Sequence, residues 1–434
     1  MHSAADSLRA QRRVAGTLAD LHVLPGERIV LSTSGSADYV DVVLGATRSG
    51  VVPVPLDPRL TAYERDAIVA EVEPRLVIES ADDLARLAHG PEAEIAPWPR
   101  CRPMHFTSGT TGRPKGVWSG LLDESDAEAL QREERDLWGF RPDDVNLVVS
   151  PIYHSAPLRF AMGTLLAGGA IEVLPRFSPE LVTAAIRTSR PTTAFVVPAH
   201  LQRLFAHLDA TGELVDVSSF RLLAHAGAPC PDPVRRRAHD LFGSDVVWEF
   251  YGSTEGQFTS CSAEDWRRRP GTVGRSRPGR TITVDDRGEL WCAVPPWARF
   301  EYWRDPERTA TAWRDTVDGP AFTVRDLGRV DADGFVFLDA RRDDLVISGG
   351  VNVYPAEVEA ALEGLDGLVE IAVFGRPDDR WGQRVCAAYV GDVDEDALRA
   401  RAVERLAPPK RPKEYRRVDV LPRTPTGKVR RRDL

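Results

Sequence analysis

The stretch His105 to Gly120, "HFTSGTTGRPKGVWSG", concentrates residues that could do chemistry together. Between Thr107 and Gly116 it places four hydroxyl residues, three glycines, one proline and one lysine in ten positions. Glycine lets the chain turn tightly, so that backbone N–H and side-chain O–H groups converge on one anion, and a lysine adds a compact positive charge. Such a loop suits a phosphate group. A solvated Gly/Ser/Thr turn has the same composition. The Walker pattern G-x-x-x-x-G-K-[ST] is absent, because Lys115 stands between Pro114 and Gly116.

Lysine usage sharpens the question. Of 56 basic residues only four are lysines, at positions 115, 410, 413 and 428. Two of them sit in Gly-rich contexts, "RPKGV" and "TGKVR", where a flexible primary ammonium does what a planar guanidinium cannot. The five cysteines, at 101, 230, 261, 292 and 386, form no C-x-x-C pair and stand beside no histidine cluster. Buried free thiols are therefore expected, with neither a zinc site nor a disulfide framework.

The elements that must position these groups follow from the patterning. A chain of 434 residues implies more than one domain. From Arg28 to Ile78, runs such as "RIVLSTS" and "VVPVPLD" alternate with helical segments, and "DVNLVVSP", "TTAFVVPAH", "FRLLAHAGAP" and "DVVWEFYGSTEG" repeat the theme. This alternation predicts an α/β domain of layered sheets with parallel strands, its ligand site at the Pro- and Gly-containing loops that end them. Beyond residue 270 shorter β-like pieces predict a β-rich subdomain, with "DADG", Asp331–Gly334, as a hairpin turn. A charged stretch, Arg341-Arg342-Asp343-Asp344, precedes a compact β–α–β region.

The net charge of −9 excludes non-specific attraction to nucleic acid or anionic lipid as a function. No apolar run approaches the ~20 residues of a membrane span, and "MHSAADSLRAQRR" has no secretory apolar segment, so a cytoplasmic location is expected. No heptad or interface stripe indicates an oligomeric state.

Four ordered motifs, "FTSGTTGRPKGV" (106–117), "YGSTEG" (251–256), "FTVRDLGRVDADGFVFLDARRDDLVISGGVNVYPAEVE" (322–359) and "PRTPTGKVRRRDL" (422–434), resemble the adenylate-forming superfamily. That superfamily comprises acyl- and aryl-CoA ligases, peptide-synthetase adenylation domains and firefly-type luciferases. "PIYHSAPL" (151–158), "AHAGAPCP" (224–231) and "RPGTVGR" (269–275) look most like its bacterial acyl-CoA ligases. The resemblance implies ATP-dependent activation of a small-molecule carboxylic acid as acyl-AMP, followed by transfer to CoA. ATP, Mg2+ and CoA are the implied cofactors. A large domain over 1–340, a hinge over 341–343 and a small mobile α+β domain over 344–434 are the implied organisation.

Residue by residue, the resemblance assigns Thr107, Ser108, Gly109, Thr110, Thr111 and Lys115 to the phosphates. Gly227, Ala228 and Pro229 would pass along the adenine, with Tyr251 on its face and Gly252 beside it. Thr254 would bond the α-phosphate, and Glu255 would hold Mg2+, a hard ion suited to a carboxylate. Asp326 would accept the ribose hydroxyls next to Arg341, and His154 would line the carboxylate end of the acyl pocket. Lys428 would reach the carboxylate and α-phosphate during adenylation. The small domain would then rotate at Asp343, swinging Lys428 out and bringing "SGGVNVYP" in for the thiol step. Acyl-pocket walls are expected from Tyr153–Arg159, Ala194–Leu201, Ala224–Ala226 and Gly252–Thr259; Arg159 has two readings, a contact to a polar or anionic substrate group and a solvated loop charge, of which the second is preferred.

The chain departs from the family at three points. Members usually carry a longer N-terminal segment beside the acyl pocket. Their T-G-D is here Val324-Arg325-Asp326, and the glycine before the ribose arginine is Ala340. An arginine in that glycine's place is strained if the backbone needs φ > 0. Two other readings therefore stand beside the ligase: an adenylating enzyme with a carrier-protein or amine acceptor or an unusual acid, and an inactive nucleotide-binding homologue.

Overall fold

A computed structural model describes residues 1–107, 114–340, 345–422 and 429–434. Three strands, Val52–Pro55, Arg28–Leu31 and Leu76–Ile78, form a small parallel sheet. A second sheet of eight strands carries five parallel ones in its middle, in the order Ala170–Val173, Val145–Val148, Thr193–Val196, Leu222–His225 and Val247–Glu249. Short antiparallel strands close both of its edges. The parallel strands are apolar along nearly their whole length because helices cover both faces, the arrangement that crossover connections impose.

The consequence for function is geometric. Val145–Val148, Thr193–Val196, Leu222–His225 and Val247–Glu249 are neighbours, so their C-terminal ends deliver four loops side by side: "PIYH", "VPAH", "AGAP" and "FYGSTEG". This is where a parallel sheet collects its ligand site. As expected, β structure dominates after residue 270. Four antiparallel strands between Thr281 and Phe322 are followed by the hairpin Leu327–Val330 and Val336–Ala340, turning at Asp331–Gly334. All five cysteines are free and buried, and burial pushes the thiols of Cys101, Cys230 and Cys292 up to about 12.

The C-terminal domain has its own core of Val346, Val353, Val358, Leu362, Val373, Val385, Leu398 and Tyr415. Its sheet pairs Leu368–Asp378 with Gly382–Gly391 and adds Glu414–Arg417 in parallel. The expected hinge, 341–343, lies outside the described residues.

One buried lysine joins this domain to the rest. The Lys410 ammonium donates to Glu357 Oε1 at 2.6 Å within its own domain and to Glu64 Oε1 at 2.8 Å across to the large domain. Glu64 is the third residue of helix Ala62–Val72, and its other oxygen accepts the N–H of the capping Thr61 at 3.1 Å, so one carboxylate caps a helix and anchors a domain. Beside it the Arg405 guanidinium lies 4.8 Å over the Tyr63 ring. At a second contact the Gly350 backbone, at φ +81°, comes so close to Val197 that an added Cβ would lie 3.5 Å from its Cγ2.

Replacing Lys410 removes the ammonium that two buried carboxylates share, which costs about 3 kcal/mol or more. Lys410→Met is expected to lower the urea midpoint of the C-terminal domain by about 1–3 M, that loss divided by an m-value of about 1–3 kcal/mol/M. Glu64→Gln, which preserves the helix cap, is expected to cost about a third as much. A wild-type midpoint for Lys410→Met contradicts this account.

Candidate active site

The loop Tyr251–Gln257 is a tight turn closed by Ser253 N–H donating to Gly256 O at 2.8 Å. Glycine is required at 252, since a Cβ there would come within 2.9 Å of both Gln257 Cα and Gly256 O. It is required again at 227, where φ is +90°. Ala228 and Pro229 continue that loop at the surface, leaving the backbone open to a flat ligand.

Lys115 opens the strand Lys115–Trp118. Its ammonium donates to Glu255 Oε1 at 2.8 Å and to the Tyr302 hydroxyl at 3.2 Å, and Tyr302 donates to the same Glu255 oxygen at 2.9 Å. Glu255 is only 4% exposed. Burial raises its carboxyl, but the Lys115 charge and hydrogen bond outweigh this and hold it at about 2. Burial next to Glu255 raises the Tyr302 hydroxyl, and Tyr354 of the C-terminal domain adds to the effect. Tyr302 therefore acts as a neutral donor. Nothing in the sequence reading marked it; the signal available was a tyrosine in "FEYW", on the strand Glu301–Tyr302 that pairs with Lys115–Trp118.

The residues expected at the nucleoside also meet. The Tyr251 hydroxyl donates to Asp326 Oδ2 at 2.5 Å, and the Tyr251 ring stacks on Phe258 at 4.8 Å. Asp326 follows Arg325, whose φ is +64°. The backbone there does need the left-handed region, so the strain expected from an arginine in a glycine's place is present. The Arg325 N–H donates to Thr323 Oγ1 at 2.8 Å and fixes the turn.

His154 caps helix Ser155–Leu166 without a side-chain cap bond. The surrounding chain lowers its imidazole from the ordinary value, although one edge is open to solvent. Its ring lies tilted against Tyr153, with centroids 4.5 Å apart, and the Tyr153 hydroxyl accepts from Arg59 at 2.6 Å. Thr254 lies half-buried between Ser253 and Glu255. Arg159 corrects the expectation of a solvated loop charge. It lies on the helix, 27% exposed, bound to Glu134 at 3.2 Å and donating to Gln257 Oε1 at 2.8 Å. It is held there because Glu134 approaches from helix Glu124–Trp138.

The structure thus brings Lys115, Glu255, Tyr251, Gly252, Thr254 and Asp326 into one region, with the loop of Gly227, Ala228 and Pro229 on the neighbouring strand end. Thr107 ends a strand that pairs with Lys115. Ser108, Gly109, Thr110, Thr111, Arg341 and Lys428 lie outside the described residues.

Comparison with known proteins gives one answer. The sequence profile of the AMP-binding enzymes matches residues 2–98 and 86–296, and that of the AMP-binding enzyme C-terminal domain matches 357–428. The chain is 30% identical to the fatty acid–[acyl-carrier-protein] ligase ScoC of Streptomyces coeruleorubidus, covering 98% of this chain and 89% of that protein. It is likewise 30% identical to the long-chain-fatty-acid–CoA ligase FadD13 of Mycobacterium tuberculosis, covering 96% and 89%. A solved double mutant of o-succinylbenzoate CoA synthetase (MenE) from Bacillus subtilis, bound with its product analogue OSB-NCoA, superposes with a TM-score of 0.87 at 25% identity, covering 99% and 92%. The MenE complex with AMP gives 0.68, also at 25% identity, and covers 99% of this chain.

Two outcomes are expected. Tyr302→Phe removes one donor from a buried carboxylate and is expected to raise KM for Mg·ATP about tenfold, equivalent to about 1.4 kcal/mol, with the fold intact by circular dichroism; an unchanged KM contradicts it. At 325, Arg325→Gly is expected to match or exceed wild-type stability by up to about 1 kcal/mol, while β-branched Arg325→Val loses about 1–2 kcal/mol. Equal losses in thermal unfolding for both contradict the strain.

Proposed function

The chain belongs to the AMP-binding enzyme family, and we propose that it is an AMP-forming acid–CoA ligase: carboxylic acid, ATP and CoA give acyl-CoA, AMP and pyrophosphate. The observation that carries this reading is the junction of Lys115, Glu255 and Tyr302, within one loop of the Tyr251–Asp326 pair. A buried cation and anion on one side and a ribose-binding acid on the other suit a nucleoside triphosphate laid across the strand ends.

A carboxylate is a poor nucleophile and its hydroxide a poor leaving group, so activation precedes transfer. One carboxylate oxygen attacks the α-phosphorus, the bond to the bridging oxygen breaks, and pyrophosphate leaves. The thiolate of CoA then attacks the acyl carbon and AMP leaves. Both steps move negative charge among phosphoryl oxygens, so catalysis is chiefly positioning and cationic stabilisation.

In this reading Lys115 turns from Glu255 to the β- and γ-phosphates, joined by Thr107, Ser108, Thr110 and Thr111. Thr254 bonds the α-phosphate and Lys428 steadies the carboxylate as it attacks. His154, neutral at physiological pH, borders the reacting acid without adding charge. Glu255 fits a divalent ion: it is ionised, buried and already faces a cation. Among the described residues no group of three His, Cys, Asp or Glu could form an all-protein cage, and Glu255 is the residue that would hold Mg2+. When bound, it neutralises developing phosphoryl charge.

We assign 1–340 to the large domain and 344–434 to the small one, turning about 341–343 between the half-reactions. The higher TM-score to the MenE product-analogue complex than to its AMP complex supports reading the present arrangement as the one for thiol transfer. ScoC, named for an acyl-carrier protein, keeps a carrier-protein thiol as the second acceptor to test.

Acid-dependent pyrophosphate release is expected with Mg·ATP across a panel of aliphatic, aromatic, amino and polycyclic acids, with thioester formed when CoA is present. Lys428→Ala is expected to reduce adenylation about 10²–10³-fold with ATP binding retained. No acid-dependent release from wild-type protein overturns the ligase reading. Release without a CoA thioester moves the acceptor to a carrier protein or an amine.

A further inference from the structure

Next to the site lies a buried cluster whose charges do not balance. Arg277, 2% exposed, donates to Glu134 Oε1 at 3.1 Å and also to Glu133. Arg280, 6% exposed, pairs with Glu133 at 2.8 Å. Arg159 pairs with Glu134 at 3.2 Å, and Arg102 stands close enough to feel Glu134, Glu133, Arg280 and Arg159. Four guanidiniums thus face two carboxylates.

The Nε atoms of Arg102 and Arg277 are buried without a hydrogen-bond partner among the described residues, while Arg159 Nε and Glu134 Oε2 meet at 3.2 Å as an ion pair rather than as a hydrogen bond. Arg102 makes no hydrogen bond or ion pair there through any atom. A network that served only to hold four segments together would gain most from balanced charge, and buried cations in excess carry a desolvation cost that nothing in the cluster offsets. Burial lowers the guanidinium of Arg102 to about 10, with Arg280 and Arg159 adding to the effect and both glutamates opposing it.

The cluster opens toward the site. Arg159 is 27% exposed, against 2% for Arg277 and 6% for Arg280, and lies five residues along the chain from His154. It donates to Gln257, the residue after the Tyr251–Gly256 loop, and lies 5.9 Å over Phe250, the residue before it. His105, whose imidazole Nδ1 faces the Tyr153 carbonyl at 3.1 Å, also feels the Arg159 charge. Arg159 therefore stands between the expected acyl pocket and the buried excess of positive charge.

We propose that the acid activated here carries a second anionic group, a carboxylate remote from the reacting one, which seats against Arg159 and is neutralised by the Arg102–Arg277–Arg280 cluster behind it. The inference rests on the ligase reading and names its substrate class. Arg159 is suited to the task because a guanidinium engages a carboxylate in two parallel hydrogen bonds. A purely apolar tail would leave the cluster's charge unmatched.

The test compares chain-matched monocarboxylates and α,ω-dicarboxylates from four to twelve carbons, scored by kcat/KM for pyrophosphate release. Wild-type protein is expected to favour the dicarboxylates at least about tenfold. Arg159→Met is expected to abolish that preference through KM for the acid, with KM for ATP unchanged, and Arg159→Lys to restore part of it. A wild-type preference for monocarboxylates overturns the inference, whether or not the variants fold. So does a rise in KM for ATP alone in Arg159→Met, which would make the nucleotide phosphates the anion served. If no acid of any class releases pyrophosphate, the ligase reading itself fails, an outcome distinct from a preference for monoacids.

Discussion

A carboxylate that is 4% exposed must have a cation beside it, and everything else at this site is arranged around how Glu255 obtains one. In the free protein the cation is Lys115, with Tyr302 donating to the same oxygen. The pair ties two segments distant in sequence, the phosphate-type loop and the strand-end turn, by direct contact. The same pair is a device for exchange, since a Mg·phosphate group can satisfy both partners at once and release them from each other. Interactions of this kind stabilise little in sum because desolvation offsets attraction, which leaves them available for use in a reaction.

Supporting that pair are constraints of backbone rather than charge. Four adjacent parallel strands bring four loops to one edge, and glycines at 227 and 252 let two of those loops run close to a ligand. Arg325 shows the fold insisting on its own geometry: the left-handed conformation persists although the residue is not glycine, so Asp326 still meets Tyr251. Across the molecule, Lys410 repeats the logic of Lys115 at a domain junction, one ammonium shared by two buried carboxylates.

Much of this was legible in the sequence, for identifiable reasons. Period-two and period-3.6 apolar patterns are local, so the α/β layering, the change after residue 270 and the turn at Asp331–Gly334 could be read directly. The rarity of lysine pointed to Lys115, and a substituted glycine pointed to strain at 325. Tyr302 was not legible, because its role depends on a strand pairing that joins residues 302 and 117. Arg159 was misread for the same reason: whether an arginine near a loop is solvated or buried is decided by Glu134, on a separate helix well upstream in the chain. Tertiary partners at long sequence separation leave no periodic trace.

The most direct test of the account is a crystal structure of the protein with Mg2+ and α,β-methylene-ATP. The account predicts Lys115 turned away from Glu255 onto a phosphate oxygen, a divalent ion bound to Glu255, and Tyr251 and Asp326 at the nucleoside. A nucleotide bound elsewhere, or the Lys115–Glu255 contact still at 2.8 Å beneath a bound nucleotide, would contradict it.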